Sequence, residues 1–229
     1  MNPGPPGYEP GGMDLATPPR CPPRPQVQYR DILTFPEGTN LYVGIDGVDG
    51  VGKTSVVHTA AEILEMMGYD VATVAEPYTE IGKRALELED PYAQALAFTL
   101  DRMLLHTELN LKEHDLVISD RTLLSTIAYQ STLGADFDWL VELQRPVPKP
   151  DVIFIIDREP MVEDEEFDRE FLKKVRRMYR KAADAVETRY SVEVKWLKAE
   201  GKDVEDIANV IVSYIRKRID DPLKGVEVP

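Results

Sequence analysis

Cysteine is almost absent from this chain of 229 residues, and its scarcity constrains both the chemistry and the environment of the protein. Cys21 is the single cysteine, so the chain has no second thiol for an intramolecular disulfide and too few thiolates for a cysteine-based zinc site. This composition is typical of a protein of the reducing cytoplasm.

Long apolar runs are also lacking. No stretch approaches the roughly 20 consecutive apolar residues of a membrane-spanning helix. The N-terminus does not show the basic and then apolar order of a signal peptide. We therefore expect a soluble, intracellular protein with no membrane partner.

Basic residues are outnumbered by acidic ones, 27 to 41, which gives a formal net charge of -14. Such a charge repels a nucleic-acid backbone and argues against a DNA or RNA partner. A phosphate group can still bind locally, where backbone dipoles and a few cations face it.

Proline is concentrated at the N-terminus, where residues 1–36 contain more than half of the 18 prolines. Such a segment has too little apolar content to offset the entropy of ordering, and we interpret it as a disordered Pro- and Gly-rich tail before a single domain of residues 37–229. Its PPRCPPRP stretch could alternatively serve as a polyproline ligand for a partner domain.

The most informative stretch is a glycine-rich loop between an apolar strand that ends at Ile45 and a helix that opens at Lys53. It fits the P-loop pattern of Gly, four residues, Gly-Lys-Thr. Glycine tolerates positive φ and lacks a Cβ, so backbone N–H groups can turn towards phosphate oxygens, and the helix N-terminus favours an anion. We expect Lys53 to reach the β- and γ-phosphates and the Thr54 hydroxyl to help bind Mg²⁺. The residues predicted to bind the phosphates of ATP are Gly47, Val48, Asp49, Gly50, Val51, Gly52, Lys53, Thr54 and Ser55.

Short apolar strands alternate with helices along the rest of the chain. Residues 79–113 are expected to form two helices separated near Asp90-Pro91, because proline is well placed at the start of a helix. The five predicted strands end at or near Ile45, Ala75, Ser119, Ile156 and Leu197. Because nearly every strand residue is apolar, the sheet should be parallel and covered on both faces. The sequence thus predicts an α/β, P-loop NTPase-type three-layer fold with a five-stranded parallel sheet and helices on both faces.

Charged residues follow several of these strands. Ligands of parallel sheets bind at the carboxyl ends of the strands, where Glu76, Asp120-Arg121 and Asp157-Arg158 would meet the P-loop. Asp120 is well placed to hold the hydration shell of Mg²⁺, and the guanidinium of Arg121 suits a phosphate. The alternative for Asp120 and Arg121 is a helix cap with an ion pair.

Four motifs follow one another along the chain: GVDGVGKT at 47–54, FTLDR at 98–102, DRTLLSTIAYQ at 120–130 and Pro150-Asp151. In this order they resemble the motifs of the thymidylate kinases, and GVDGVGKT is similar to the P-loop of that family, including its acidic residue. FTLDR at 98–102 is similar to the segment that binds thymine, and DRTLLSTIAYQ at 120–130 resembles the family signature. Pro150-Asp151, before a strand that ends in Asp157, is also similar.

The resemblance implies transfer of the γ-phosphoryl group of ATP to dTMP, with Mg²⁺ as cofactor, by a homodimer. Phe98 would stack on thymine and Arg102 would reach a base carbonyl. On helical spacing alone, with Leu96, Leu100 and Met103 as neighbours, a core position for Phe98 is the favoured interpretation. The residues that the resemblance assigns to the substrate are Asp49, Glu76, Phe98, Arg102, Arg121, Tyr129 and Gln130.

The sequence departs from the family pattern at three places. Ala75 stands where the family usually has an arginine for the acceptor phosphate. The arginine-bearing lid is replaced by an acidic segment after Asp157, and Gly50 stands where relatives without a lid arginine carry one. The candidates for the arginine that stabilises the transition state are therefore Arg158 and Arg169, and Arg121 could serve both phosphates. The predicted catalytic residues are Lys53, Arg121, Arg158 and Arg169.

Two further functions fit parts of the pattern. A deoxynucleoside kinase has a neutral hydroxyl as acceptor and needs a base, which Glu76 could supply. A nucleotide-binding protein that lost catalysis together with its lid would instead bind ATP without turnover.

Overall fold

Five strands form one parallel sheet in the computed structural model, which describes residues 41–108, 113–160 and 167–220. The strands are β1 (Leu41–Asp46), β2 (Val71–Ala75), β3 (Leu116–Asp120), β4 (Val152–Asp157) and β5 (Glu193–Lys198). Their order across the sheet is β2-β3-β1-β4-β5. All residues of β1 and β3 are buried, which explains why these strands are apolar without alternation.

Seven helices connect or follow the strands within the described part of the chain. They are α1 (Lys53–Met66), α2 (Glu80–Ala85), α3 (Pro91–Glu108), α4 (Leu123–Thr132), α5 (Phe137–Leu143), α6 (Arg169–Tyr190) and α7 (Val204–Asp220). Side chains of Thr79, Asp136 and Asp168 accept hydrogen bonds from first-turn amides and so begin α2, α5 and α6.

The helices form the two outer layers around the sheet. On one side α1 packs against α7, and on the other α4 packs against α3, α5 and α6. One large apolar core joins the sheet to both groups of helices. The predicted three-layer α/β fold with a five-stranded parallel sheet is therefore confirmed.

Strand register places the carboxyl ends of three strands side by side. Ile45 of β1 pairs with Asp120 of β3 and with Phe154 of β4. The loops that leave β1, β3 and β4 therefore start at the same edge of the sheet, which is where parallel sheets bind ligands.

Element positions agree closely with the sequence-based expectations. Residues 79–113 were expected to hold two helices separated near Asp90-Pro91, and α2 ends at Ala85 while α3 begins at Pro91. The predicted tail at 1–36 and the acidic segment at 161–166 lie outside the described residues. Among those described, no helix combines the length and hydrophobicity that crossing a bilayer requires.

Candidate active site

The loop between β1 and α1 has the backbone conformation that its glycines permit. Gly50 and Gly52 have φ of 77° and 87°, a left-handed region that side chains disfavour. Gly47 also has positive φ, and a Cβ there would lie 2.9 Å from the carbonyl oxygen of Ile156. Gly52 caps α1 without a side-chain hydrogen bond, so the first amides of the helix are open to an anion.

Lys53 folds back over this loop. Its Nζ lies 2.9 Å from the Val48 carbonyl oxygen and 3.4 Å from Asp49 Oδ1. Burial, together with the nearby charge of Arg121, lowers the pKa of Lys53 to about 8, although Asp49 opposes the shift. A polyphosphate at the loop would add negative charge beside this buried ammonium and favour its protonated form.

Thr54 and Asp120 meet at the start of α1 and the end of β3. The Thr54 hydroxyl donates to Asp120 Oδ2 at 2.5 Å. The other carboxylate oxygen, Oδ1, is buried and has no hydrogen-bond partner among the described residues. An unsatisfied carboxylate oxygen beside a hydroxyl and a phosphate loop fits Mg²⁺, which binds oxygen ligands and several waters.

Asp49, Arg121 and Tyr129 form a hydrogen-bonded group beside the loop. Arg121 donates to Asp49 Oδ1, and the Tyr129 hydroxyl donates to Asp49 Oδ2 at 2.7 Å. The Asp49 N–H donates to the Tyr129 oxygen at 2.9 Å. Burial opposes ionisation of Asp49, but the charges of Arg121 and Lys53 outweigh burial and keep its pKa below the usual value. The group therefore presents an ionised carboxylate and a fixed guanidinium to the adjoining cavity.

That cavity has a volume of about 300 Å³ and lies between the P-loop, α3 and α4. Its apolar wall includes Phe98 and Leu133, and its polar wall includes Asp49, Arg121 and Gln130. Phe98 is half-buried and lines the cavity from α3. A pocket with one aromatic face and several polar groups suits a planar, hydrogen-bonding ligand.

Gln130 provides an acceptor inside the cavity. Its Nε2 donates to Gln94 Oε1 at 3.2 Å, while its own Oε1 is buried without a partner in the part of the chain that the structure describes. A ligand N–H could satisfy this oxygen. Gln94 carries no motif, and sequence reasoning missed it.

Glu76 and Arg102 form a buried ion pair at the floor of the cavity. Arg102 Nε lies 2.8 Å from both oxygens of Glu76. The remaining nitrogens donate to Gln144 Oε1 at 2.9 Å and to Thr126 Oγ1 at 3.2 Å. Arg102 lines the cavity and donates to these three side chains, and its contact with a base carbonyl stays a prediction. Gln144 and Thr126 were not anticipated, since they lie far from Arg102 along the chain.

Asp101 anchors the segment that follows β2. Its carboxylate accepts from the Tyr78 N–H at 2.8 Å and from the Thr79 N–H at 2.5 Å. A Cβ on Gly82 would lie 2.4 Å from Asp101 Cγ, so the glycine leaves room for the carboxylate. Sequence reasoning missed this contact, although FTLDR contains the residue.

The two other candidate arginines lie in different surroundings. Arg158 is buried, and its guanidinium donates to the carbonyl oxygens of Val51 and Lys202. Arg169 is the exposed first residue of α6 and follows the segment 161–166. Neither side chain lines the cavity that Arg121 lines.

A phosphate loop at the end of β1, an oxygen site at Thr54 and Asp120, and an adjoining polar cavity define a P-loop nucleotide-binding protein of the kinase type. Residues 45–207 match the family model described as Thymidylate kinase. The chain therefore belongs to the thymidylate kinase family.

Several relatives support this assignment. A "probable thymidylate kinase" of Methanopyrus kandleri is 61% identical over 183 residues, which cover 80% of this chain and 94% of that protein. Proteins of the same description from Methanosphaera stadtmanae and Thermococcus kodakarensis are each 33% identical. The alignments cover 77% and 76% of this chain and 100% and 97% of the two relatives, respectively.

Proposed function

We propose that this protein is a thymidylate kinase that transfers the γ-phosphoryl group of ATP to dTMP, giving dTDP and ADP. The observation that carries the proposal is the position of the cavity. Asp49 of the P-loop and its partner Arg121 line one side of the cavity, and Phe98 and Gln130 line the other walls. The phosphate of a bound nucleotide would thus face the P-loop while its base lies against the ring.

The acceptor in this reaction needs no strong base, because a phosphate monoester is already an anionic nucleophile. Positioning and charge neutralisation carry the rate. Lys53 and the open amides at the start of α1 would bind the transferred group, and Arg121 would orient the acceptor phosphate. Asp49 accepts a hydrogen bond from Arg121 and so fixes the guanidinium in place.

Mg²⁺ is the proposed cofactor, with Thr54 and Asp120 as the residues that would bind it or its waters. When bound, it neutralises negative charge on the β- and γ-phosphates.

Glu76 does not suit the role of general base. Both of its oxygens accept hydrogen bonds from Arg102, so the carboxylate is committed to the buried pair. Its place at the floor of the cavity supports a role in shaping the acceptor pocket.

Product analysis tests the proposal. The protein is incubated with Mg·ATP and dTMP, and the nucleotides are separated by chromatography. We expect dTDP and ADP in equal amounts. Formation of ADP without dTDP, or no product at all, would contradict the proposal.

The proposed location is the cytoplasm, where charged nucleotide substrates are retained. The proposed assembly is a homodimer. Tyr92, Leu96 and Leu100 form an apolar stripe along α3 with 40%, 52% and 44% exposure. Their spacing of four residues places them on one helix face, and a second copy could cover that face. Sedimentation should show a dimer that Leu96→Glu dissociates, and a monomeric wild type would contradict this.

A further inference from the structure

Arg158 directly follows β4 and points into the protein. It is only 4% exposed. Its Nη2 and Nε lie 2.6 Å and 3.0 Å from the carbonyl oxygen of Val51, inside the P-loop. Its Nη1 lies 3.0 Å from the carbonyl oxygen of Lys202, in the turn after β5. All three contacts are to backbone oxygens, so the guanidinium acts on the loop rather than on another side chain.

The orientation of the Val51 carbonyl determines where the next amide points. In a trans peptide the C=O and N–H of one unit point in opposite directions. A guanidinium that fixes the Val51 oxygen on one side therefore aims the Gly52 N–H to the other side of the loop. That amide is among the P-loop donors that phosphates use.

The loop needs such a restraint because its glycines are permissive. Gly50 and Gly52 flank Val51 with φ of 77° and 87°, and glycine populates both halves of φ space with little cost. A rotated peptide would turn its N–H away from a phosphate. The two-pronged contact from Arg158 opposes that rotation, since a carbonyl bound by two donors of one planar group is restrained in direction.

The same guanidinium connects the P-loop to the turn after β5. The Ala199 N–H donates to the Asp157 carbonyl at 3.3 Å, and the Lys202 N–H donates to the Ala199 carbonyl at 3.1 Å. The end of β4, the turn and the P-loop are thus linked through one side chain, which gives the loop a rigid support.

We infer that Arg158 is a positioning residue, which holds the Val51–Gly52 peptide in the phosphate-binding orientation and thereby sets the affinity for the triphosphate of ATP. This inference deepens the proposed function and depends on ATP being the nucleotide that the P-loop binds. It differs from the transition-state role predicted from sequence, because a transition-state residue would change the rate and leave ATP affinity unaltered.

Binding of the non-hydrolysable β,γ-imido analogue of ATP, with Mg²⁺, tests the inference by calorimetry. Arg158→Met should weaken binding at least tenfold, and Arg158→Lys, which keeps the charge but loses the two-pronged contact, should weaken it at least threefold. The matched control is Arg145→Met on the surface, where the side chain is 76% exposed. The control should bind the analogue as the wild type does, and all variants should keep the Kd for dTMP within twofold.

Three results would overturn the inference. The first is Arg158→Met with analogue affinity within twofold of wild type, whatever its melting temperature. The second is an Arg158→Met variant whose kcat is reduced a hundredfold or more while its affinity for the analogue is unchanged, a result that assigns Arg158 to the transition state. The third result matters if Arg158→Met does not fold: it is an Arg158→Lys variant that binds the ATP analogue with wild-type affinity. Failure of the proposed function is recognised separately, since the wild type would then make no dTDP.

Discussion

Replacement of Phe98 by alanine is the most informative change to the acceptor cavity. The ring is half-buried and lines the cavity together with Gln130 and Arg121. A core position would instead predict a fully buried ring. Leu96 and Leu100, which were its expected core neighbours, are 52% and 44% exposed. The structure therefore favours a ligand contact over simple packing.

The expected magnitude follows from the loss of one stacking surface. Stacking of a base on an aromatic side chain contributes about 1–3 kcal/mol, which corresponds to roughly 5- to 150-fold in affinity. Phe98→Ala should therefore raise the KM and the Kd for dTMP by that factor. The KM for ATP should stay within about twofold, because Phe98 lies on α3, whereas the residues predicted to bind ATP lie in the P-loop. Phe98→Leu, which fills volume without an aromatic face, should give an intermediate loss.

Steady-state kinetics with each substrate varied in turn, and calorimetric titration with dTMP, measure these effects. Met66→Ala is a suitable control, because this apolar side chain at the end of α1 is 80% exposed and lies away from the cavity. Equal increases in both Michaelis constants would refute the reasoning. So would a lowered melting temperature with unchanged dTMP affinity, since that result identifies Phe98 as a packing residue.

Three further predictions concern the P-loop, the buried ion pair and acid stability. Lys53→Ala should abolish turnover while the far-ultraviolet circular dichroism stays unchanged, and retained activity would remove the P-loop from the mechanism. Arg102→Met leaves the Glu76 carboxylate buried without its partner and should cost about 3–5 kcal/mol of unfolding free energy in urea, so a loss below about 1 kcal/mol would contradict the ion pair. His106 is largely buried, and burial, followed by the charges of Arg102 and Lys149, lowers its pKa to about 4. Because the unfolded chain takes up this proton near its ordinary pKa of 6.5, the free energy of unfolding should fall by about 2 kcal/mol from pH 7 to pH 5. His106→Leu should remove that part of the pH dependence, and an unchanged slope would show that another group causes it.

The fold was predictable because its signals are local. The central strands β1, β3 and β4 are nearly continuous apolar runs that end at an aspartate, and a P-loop specifies a strand before it and a helix after it. The start of α3 at Pro91 was predicted correctly, because the first residue of a helix has no intrahelical partner for its N–H and proline lacks that N–H. Those features require no knowledge of which distant residues meet.

Parts of the site were not predictable, because their contacts join distant positions. Arg102 meets Glu76, Gln144 and Thr126 only after α3, α4 and α5 have packed. The motif FTLDR indicated a cavity arginine but not its partners. A glutamine such as Gln144 has no pattern that distinguishes it from a surface residue until its neighbours are known.

Arg158 shows a different limit. Its place after β4 predicted nearness to the phosphates, and it does contact the P-loop. Its donors, however, serve carbonyl oxygens, and the direction of a long side chain depends on packing that spacing does not encode. Proximity was inferable from topology, whereas the role depended on geometry.

The most direct test of the central claim is ADP release from Mg·ATP, measured with dTMP, dUMP, thymidine or no acceptor at equal concentrations. If Arg121 and the P-loop hold a phosphate acceptor, the rate of ADP release with dTMP should be well above the rate with thymidine and above the rate without acceptor. Turnover with thymidine alone would assign the cavity to a nucleoside. Binding of ATP with no acceptor-dependent turnover would contradict catalysis by this site.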